Sequence, residues 1–167
     1  MHQLYLCFTL NDQRFALPVE VVDRAIRAVA VTPVPASSGL LYGLINFYSQ
    51  IIPVVNLRER FSMNTKAIEP DDRFLIVKSE EKLIAVVVDR VEELISVGGE
   101  ELSSFEEADS APVADGAKAL GLAQLQYCSD QQGIIVIYDL MKLLGDETVI
   151  EIKNFFATGA QPEINGK

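Results

Sequence analysis

The chain contains no tryptophan, one histidine and two cysteines. His2 lies at the N-terminal extreme, where chain ends fray, so it makes a poor general base. One histidine and two distant cysteines cannot supply a four-ligand zinc site. Cys7 and Cys128 belong to no motif; they read as buried, reduced thiols, with a disulfide between them as the alternative. Basic side chains are few, 14 against 24 acidic ones, for a net charge of −10. That balance argues against nucleic acid and against an anionic membrane surface as main partners. No apolar run approaches the roughly 20 residues needed to span a bilayer. The opening MHQLYLCFTL lacks the basic n-region and long apolar core of a signal peptide, so a cytoplasmic protein is expected.

Other chemistry-bearing patterns are also missing. Gly98-Gly99 precedes no helix with a lysine and is no phosphate loop. The serines have no base. The acidic pairs Asp71–Asp72, Glu80–Glu81, Glu100–Glu101 and Glu106–Glu107 fall in predicted loops, where adjacent carboxylates are ordinarily solvated rather than tuned apart for catalysis. None has calcium-loop spacing. No catalytic residue, metal or cofactor is expected.

What the chain does have is apolar side chains, 49% of the total, arranged in short runs. LYLCFTL and RFALPV flank NDQ as a hairpin. VEVVDRAIRAV reads as a helical turn running into a strand, and TPVPASSG as a loop. GLINFYSQIIPVVNLRERF, residues 43–61, is a second strand–turn–strand unit ending in a helical turn. Pro53 within it marks an edge or bulge. RFLIVKS and LIAVVVDRVEELISV give further strands, with a bend near Asp89. GGEELSSFEEADSAPVADGAKA reads as an acidic surface loop, and LGLAQLQYCS with GIIVIYDLMKLL as the last hairpin, followed by a short helix. Eight to ten short strands without long amphipathic helices indicate a mainly β protein of barrel or sandwich type.

These blocks, in the order FTL…RFALPVEVVDRAI…TPVP…GLIN…IIPVVNLRERF…LIVK…VVVDRVEEL…GIIVIYDLMKLL, resemble the CheW family of chemotaxis coupling proteins and the CheW-like domains of CheA kinases. The resemblance covers about residues 4–144. It implies one domain over residues 1–150, built of two packed five-stranded SH3-like β-barrels. One barrel would use about residues 15–85, the other about 1–14 plus 86–144; the residues themselves read as changing character from about Gly145, with ETVIEIKNFF packing back and 151–167 a partly disordered C-terminal tail. It also implies a non-catalytic adaptor joining a methyl-accepting receptor's cytoplasmic tip to the regulatory domain of a CheA-type histidine kinase. Contacts to other CheW-like proteins are a further implied possibility. Two alternatives stay open: a divergent CheW-like scaffold in another pathway, such as twitching motility, or a small β-barrel enzyme or ligand-binding protein with its site near residues 100–115.

By the same resemblance, receptors bind a groove between the barrels, at positions matching Val19, Val22, Val91 and Leu94. The kinase-facing positions would be Arg24, Tyr48, Ser49 and Phe74. Here the chain departs from its relatives. Much of the family reads Asn-x-Arg-Gly where this chain has Asn46-Phe47-Tyr48-Ser49, and usually has Glu at the position of Arg24. Arg24 and Tyr48 are therefore expected to be spatial neighbours, the guanidinium stacking on or hydrogen-bonding to Tyr48 in place of an ion pair. Ser49 for glycine carries a cost only if its φ is positive. Arg58 and Arg60 read either as rim contacts or as a solvated helix end.

Overall fold

The computed structural model describes residues 2–34, 39–104 and 126–157. Two sheets account for most of them. The first contains β3 (Val22–Arg27), β4 (Leu41–Phe47), β5 (Gln50–Val55), β6 (Arg73–Ser79) and β7 (Lys82–Val88), in the order β3-β6-β7-β5-β4. The second runs β8-β1-β2-β11-β10, from β1 (His2–Leu10), β2 (Gln13–Pro18), β8 (Arg90–Gly98), β10 (Gln126–Asp130) and β11 (Gly133–Ile137). A two-residue strand, β9 (Ser103–Ser104), adds to the β10 edge.

The two orders are the same pattern. With β8, β10 and β11 in the places of β3, β4 and β5, the β1–β2 hairpin stands where β6–β7 stands in the first sheet. The single parallel pairing is repeated as well, β5 with β7 and β11 with β2. Each copy ends in a short helix with the same N-cap arrangement. Asn56 accepts from the Glu59 amide before α1 (Leu57–Arg60), and Asp139 accepts from the Lys142 amide before α2 (Leu140–Leu144).

Each sheet curls until its ends meet, which removes exposed edges. In the first, the chain beyond β3 returns to β4. Thr32 and Leu44 exchange backbone hydrogen bonds of 2.8 Å in both directions. Gly43 permits this approach. Its φ is +151°, and a Cβ there would overlap the Thr32 carbonyl and stand 2.9 Å from Val31 Cγ1. In the second, Arg14 of β2 ties strands on either side. Its Nε donates to Glu92 of β8 at 3.1 Å, and Nη1 to Asp130 of β10 at 2.7 Å. That bond to Arg14 holds the Asp130 carboxyl below the usual carboxylate range.

The alternation of side chains sorts the core into three parts. Ile45, Ile52, Val54, Phe74, Ile76, Ala85 and Val87 fill the first barrel. Tyr5, Cys7, Ala16, Val97, Cys128, Ile135 and Ile137 fill the second. The opposite faces of the same strands make a third cluster between the barrels. Phe8, Leu10, Phe15 and Leu17 come from one side, and Leu75, Val77, Ile84, Val86 and Val88 from the other. At its centre Phe15 stacks on Phe61 at 5.7 Å, and Tyr138 leans on both. Strands buried on both faces must be apolar at every position, which is why RFLIVKS and LIAVVV read as unbroken hydrophobic runs. Each such side chain stabilises by roughly 1.5–3 kcal/mol relative to exposure. Both cysteines are free and buried, and burial pushes the Cys7 thiol up to about 12.

A polar knot joins the barrels. Arg58 of α1 is 1% exposed, and its guanidinium bonds to Asp89, the residue between β7 and β8. Its Nε donates to Asn11 Oδ1 at 2.9 Å, and the Asn11 amide donates to Asp89 Oδ2 at 2.7 Å. Three segments, one from each barrel and one from the link between them, are thereby pinned together. Arg58 is thus a buried structural residue and not a rim contact. Arg60 is also internal in role: it donates to the carbonyls of Leu144 and Lys142 at the end of α2.

One boundary differs from that expected. β2 pairs with β1 and β11, so the first barrel begins at Val22 and not near residue 15, and residues 1–14 are only part of the N-terminal contribution to the second. The ETVIEIKNFF stretch packs back as expected, and residues 151–157 are ordered. They complete α3 (Asp146–Ala157), whose Ile152 is 5% exposed and joins the central core. Residues 158–167 lie outside the described residues, as do residues 105–125.

Candidate interaction surface

The side chains singled out from sequence fall into two groups. Val22 opens β3, and Val91 lies early in β8, directly across from Phe8. Both are half-buried against the central core. Val19 is half-buried in a 3₁₀ turn, Val19–Val21, that touches β1 and β6. Leu94 faces Leu6 across the ladder and is 55% exposed. Leu4, two residues back on β1 and 47% exposed, extends the same face. Leu4 was not singled out from sequence, because a strand at the chain's start gives no sign of what covers it. The result is an apolar strip along the seam of the barrels, flanked by partly covered valines.

The second group gathers at the β4–β5 hairpin. Closure of the first barrel brings Arg24 of β3 to the hairpin tip. Its guanidinium carbon lies 5.4 Å from the ring centroid of Phe47 and 5.4 Å from that of Tyr48. The two rings meet edge to face at 4.7 Å. Arg24 Nε also donates to Asp23 at 2.9 Å. The stacking expected of Arg24 and Tyr48 is therefore present, with Phe47 as an additional ring. Tyr48 is 78% exposed, an unusual position for a large aromatic side chain.

The hairpin turn itself is strained. Tyr48 and Ser49 have φ of 48° and 65°, the left-handed values at which glycine is favoured. Ser49→Gly is expected to raise stability by about 1 kcal/mol, read as a Tm increase of about 2–4 °C in thermal unfolding. An unchanged or lower Tm would mean that Ser49 is not strained.

Phe74 must be removed from the surface set. It is fully buried inside the first barrel, paired across the ladder with Ile26 and Val87. Strand β6 is apolar on both faces, so its sequence carries no alternation to tell inward from outward. Of the acidic pairs, Asp72 is 3% exposed and accepts from the Glu69 amide at 2.8 Å, a loop-fixing role. Glu80 and Glu81 are exposed at the β6–β7 turn, and Glu100 and Glu101 follow β8 in the open. Glu106 and Glu107 lie outside the described residues. A cleft of about 500 Å³ between Val29, Tyr42, Ile68 and Pro70 carries a single carboxylate, Glu69. No helix among the described residues is long and apolar enough to cross a membrane.

Two barrels of one pattern, fused through a common core and carrying their exposed apolar and aromatic side chains on a seam and a hairpin tip, make a paired SH3-like β-barrel protein. The comparisons agree. A solved structure, the scaffolding protein TtCheW from Thermoanaerobacter tengcongensis, shares the fold with a TM-score of 0.70 at 22% identity, covering 89% of this chain and 96% of that one. Among curated relatives, the chemotaxis protein CheW of Thermotoga maritima is 26% identical over 147 residues, 87% of this chain and 90% of its own. That of Treponema pallidum is 27% identical over 101 residues, 58% of this chain and 59% of its own length. The family model for the CheW-like domain matches residues 4–148, and the chain belongs to that family.

Proposed function

We propose that this chain is a non-catalytic adaptor that couples chemoreceptors to a CheA-type histidine kinase. It would act in the cytoplasm and be recruited to receptor arrays, with a receptor's cytoplasmic tip and the kinase regulatory domain as its partners. The observation that carries this reading is the family match over residues 4–148, together with two separate sets of solvent-facing side chains on one rigid paired-barrel frame. An adaptor needs two such sets, and it needs no reactive group.

The apolar seam of Val19, Val22, Val91 and Leu94 is the receptor-facing set. A receptor helix can lay an apolar face there, with anchors at helical spacing. Arg24, Tyr48 and Ser49 form the kinase-facing set. Exposed tyrosine and arginine are the residue types that most often dominate binding energy at an interface. A separate pathway such as twitching motility is not favoured, since relatives matched along most of their length are named chemotaxis proteins.

Leu94→Glu tests the receptor half. Leu94 is 55% exposed, so the change should leave Tm within about 1–2 °C. Binding of a receptor cytoplasmic fragment should fall at least about tenfold, because a carboxylate would be desolvated in an apolar contact. Calorimetric titration of the fragment reads it. Unaltered affinity would move the receptor site elsewhere. Failure of the wild-type chain to bind either a receptor fragment or a kinase regulatory domain would overturn the adaptor reading as a whole.

A further inference from the structure

We infer that Arg24 is a carboxylate receptor, and that the surface at the β4–β5 tip selects a partner protein presenting an acidic side chain there. The inference rests on the adaptor reading and specifies the chemistry of its kinase-facing set.

Three observations carry it. First, the guanidinium is pre-positioned. It lies 5.4 Å from the centroids of both Phe47 and Tyr48, and Asp23 holds its Nε at 2.9 Å. A flexible side chain that is already restrained loses less entropy when it forms another bond. Second, the two terminal nitrogens have no acceptor among the described residues, and the side chain is 49% exposed. The open end of the fork is the part that takes a carboxylate through two parallel N–H···O bonds. Third, the chain already shows one arginine serving two acids. Arg14 gives its Nε to Glu92 and its Nη1 to Asp130. Arg24 has the first half of that arrangement, with Asp23 on Nε, and offers the second half outward.

The setting gives the contact discrimination. The protein carries a net charge of −10, so an acidic partner is repelled by most of the surface. An outward-facing arginine flanked by aromatic rings is a local exception, and it fixes where an acidic partner can sit. A partner bearing a basic residue at that point meets the open end of the guanidinium, a like charge, and is rejected.

The test is calorimetric titration of the wild-type chain, Arg24→Gln and Arg24→Lys with the regulatory domain of a CheA-type kinase from the same genome, at low and high salt. Arg24 is a half-exposed surface residue, so all three chains should unfold at nearly the same temperature. Arg24→Gln should bind the kinase domain about tenfold or more weaker and lose most of the salt dependence. Arg24→Lys keeps the charge but loses the planar fork, and should recover only part of the affinity. Arg24→Glu should be weaker still and be rescued by an acid-to-lysine change at the facing position of the kinase domain. Receptor-fragment binding should be unaffected in every variant. If Arg24→Gln binds the kinase domain within about twofold of wild type, the carboxylate receptor is wrong although the adaptor reading stands. If the wild-type chain does not bind the kinase domain at all, the kinase half of that reading fails, and the carboxylate receptor fails with it.

Discussion

Gly43→Ala is expected to be among the most damaging single-methyl additions to this chain, costing about 3 kcal/mol or more. Two penalties combine at this position. The backbone sits at φ +151°, which side-chain-bearing residues avoid, and the new Cβ would be driven into the Thr32 carbonyl group, 2.8 Å from its carbon. Relief requires that residues 31–32 retreat from β4. That retreat breaks the reciprocal Thr32–Leu44 hydrogen bonds that close the first barrel. Thermal unfolding should show a Tm lower by about 6–12 °C. The cluster at the hairpin tip should loosen too, because Arg24 reaches Tyr48 only through the closed barrel. A Tm within about 2 °C of wild type would show that closure at Thr32 contributes little.

The second large effect concerns the knot between the barrels. Asp89→Ala strands Arg58, a guanidinium with 1% exposure, leaving it Asn11 Oδ1 as its hydrogen-bond acceptor among the described residues. Removing one member of a buried ion pair typically costs about 3–5 kcal/mol, because the survivor keeps its desolvation penalty. Asp89 itself is 25% exposed, which favours the lower end, about 3 kcal/mol. Arg58→Met behaves differently. It takes away the buried charge, and the Asp89 carboxylate left behind still accepts from the Asn11 amide and lies 4.0 Å from Lys66 Nζ. Its cost should be about 1 kcal/mol. Adding Arg58→Met to Asp89→Ala should therefore recover stability, a sign opposite to simple addition. Urea unfolding of the three chains measures this. If the double variant is the least stable, the buried charge is not what makes Asp89 necessary.

The strand-rich fold was readable because β-branched and aromatic residues come in short runs with turn residues between them. The stretch from residue 43 to 61 shows this well: its strand, turn, strand and helical turn all stand where the spacing puts them. The facing of those strands was not readable. Phe74 and Leu75 are both fully buried, one inside the first barrel and the other between the barrels. With no polar alternation, nothing in RFLIVKS separates the two sides, so Phe74 was misplaced on the surface. Arg58 was misread for the related reason that its acid, Asp89, is 31 residues away. That ETVIEIKNFF packs back was legible from its apolar residues, but not that it forms the 12-residue helix α3, whose stability comes from packing of Ile152 on a core assembled elsewhere. The Arg24–Tyr48 contact was legible, since two departures from one family pattern pointed to the same spot. The duplicated strand order was not, because the second copy is interrupted by the whole of the first.

That interruption has a consequence for synthesis. A ribosome delivers β1 and β2 first, yet their ladder partners β8 and β11 follow only after some seventy or more further residues have emerged. Meanwhile the segment from Val22 to Val88 holds every strand of a complete ring and can close at once. In the finished fold Phe8, Leu10, Phe15 and Leu17 of the early hairpin pack against the ring. The β1–β2 hairpin is thus a template that is completed only when the last strands arrive to use it.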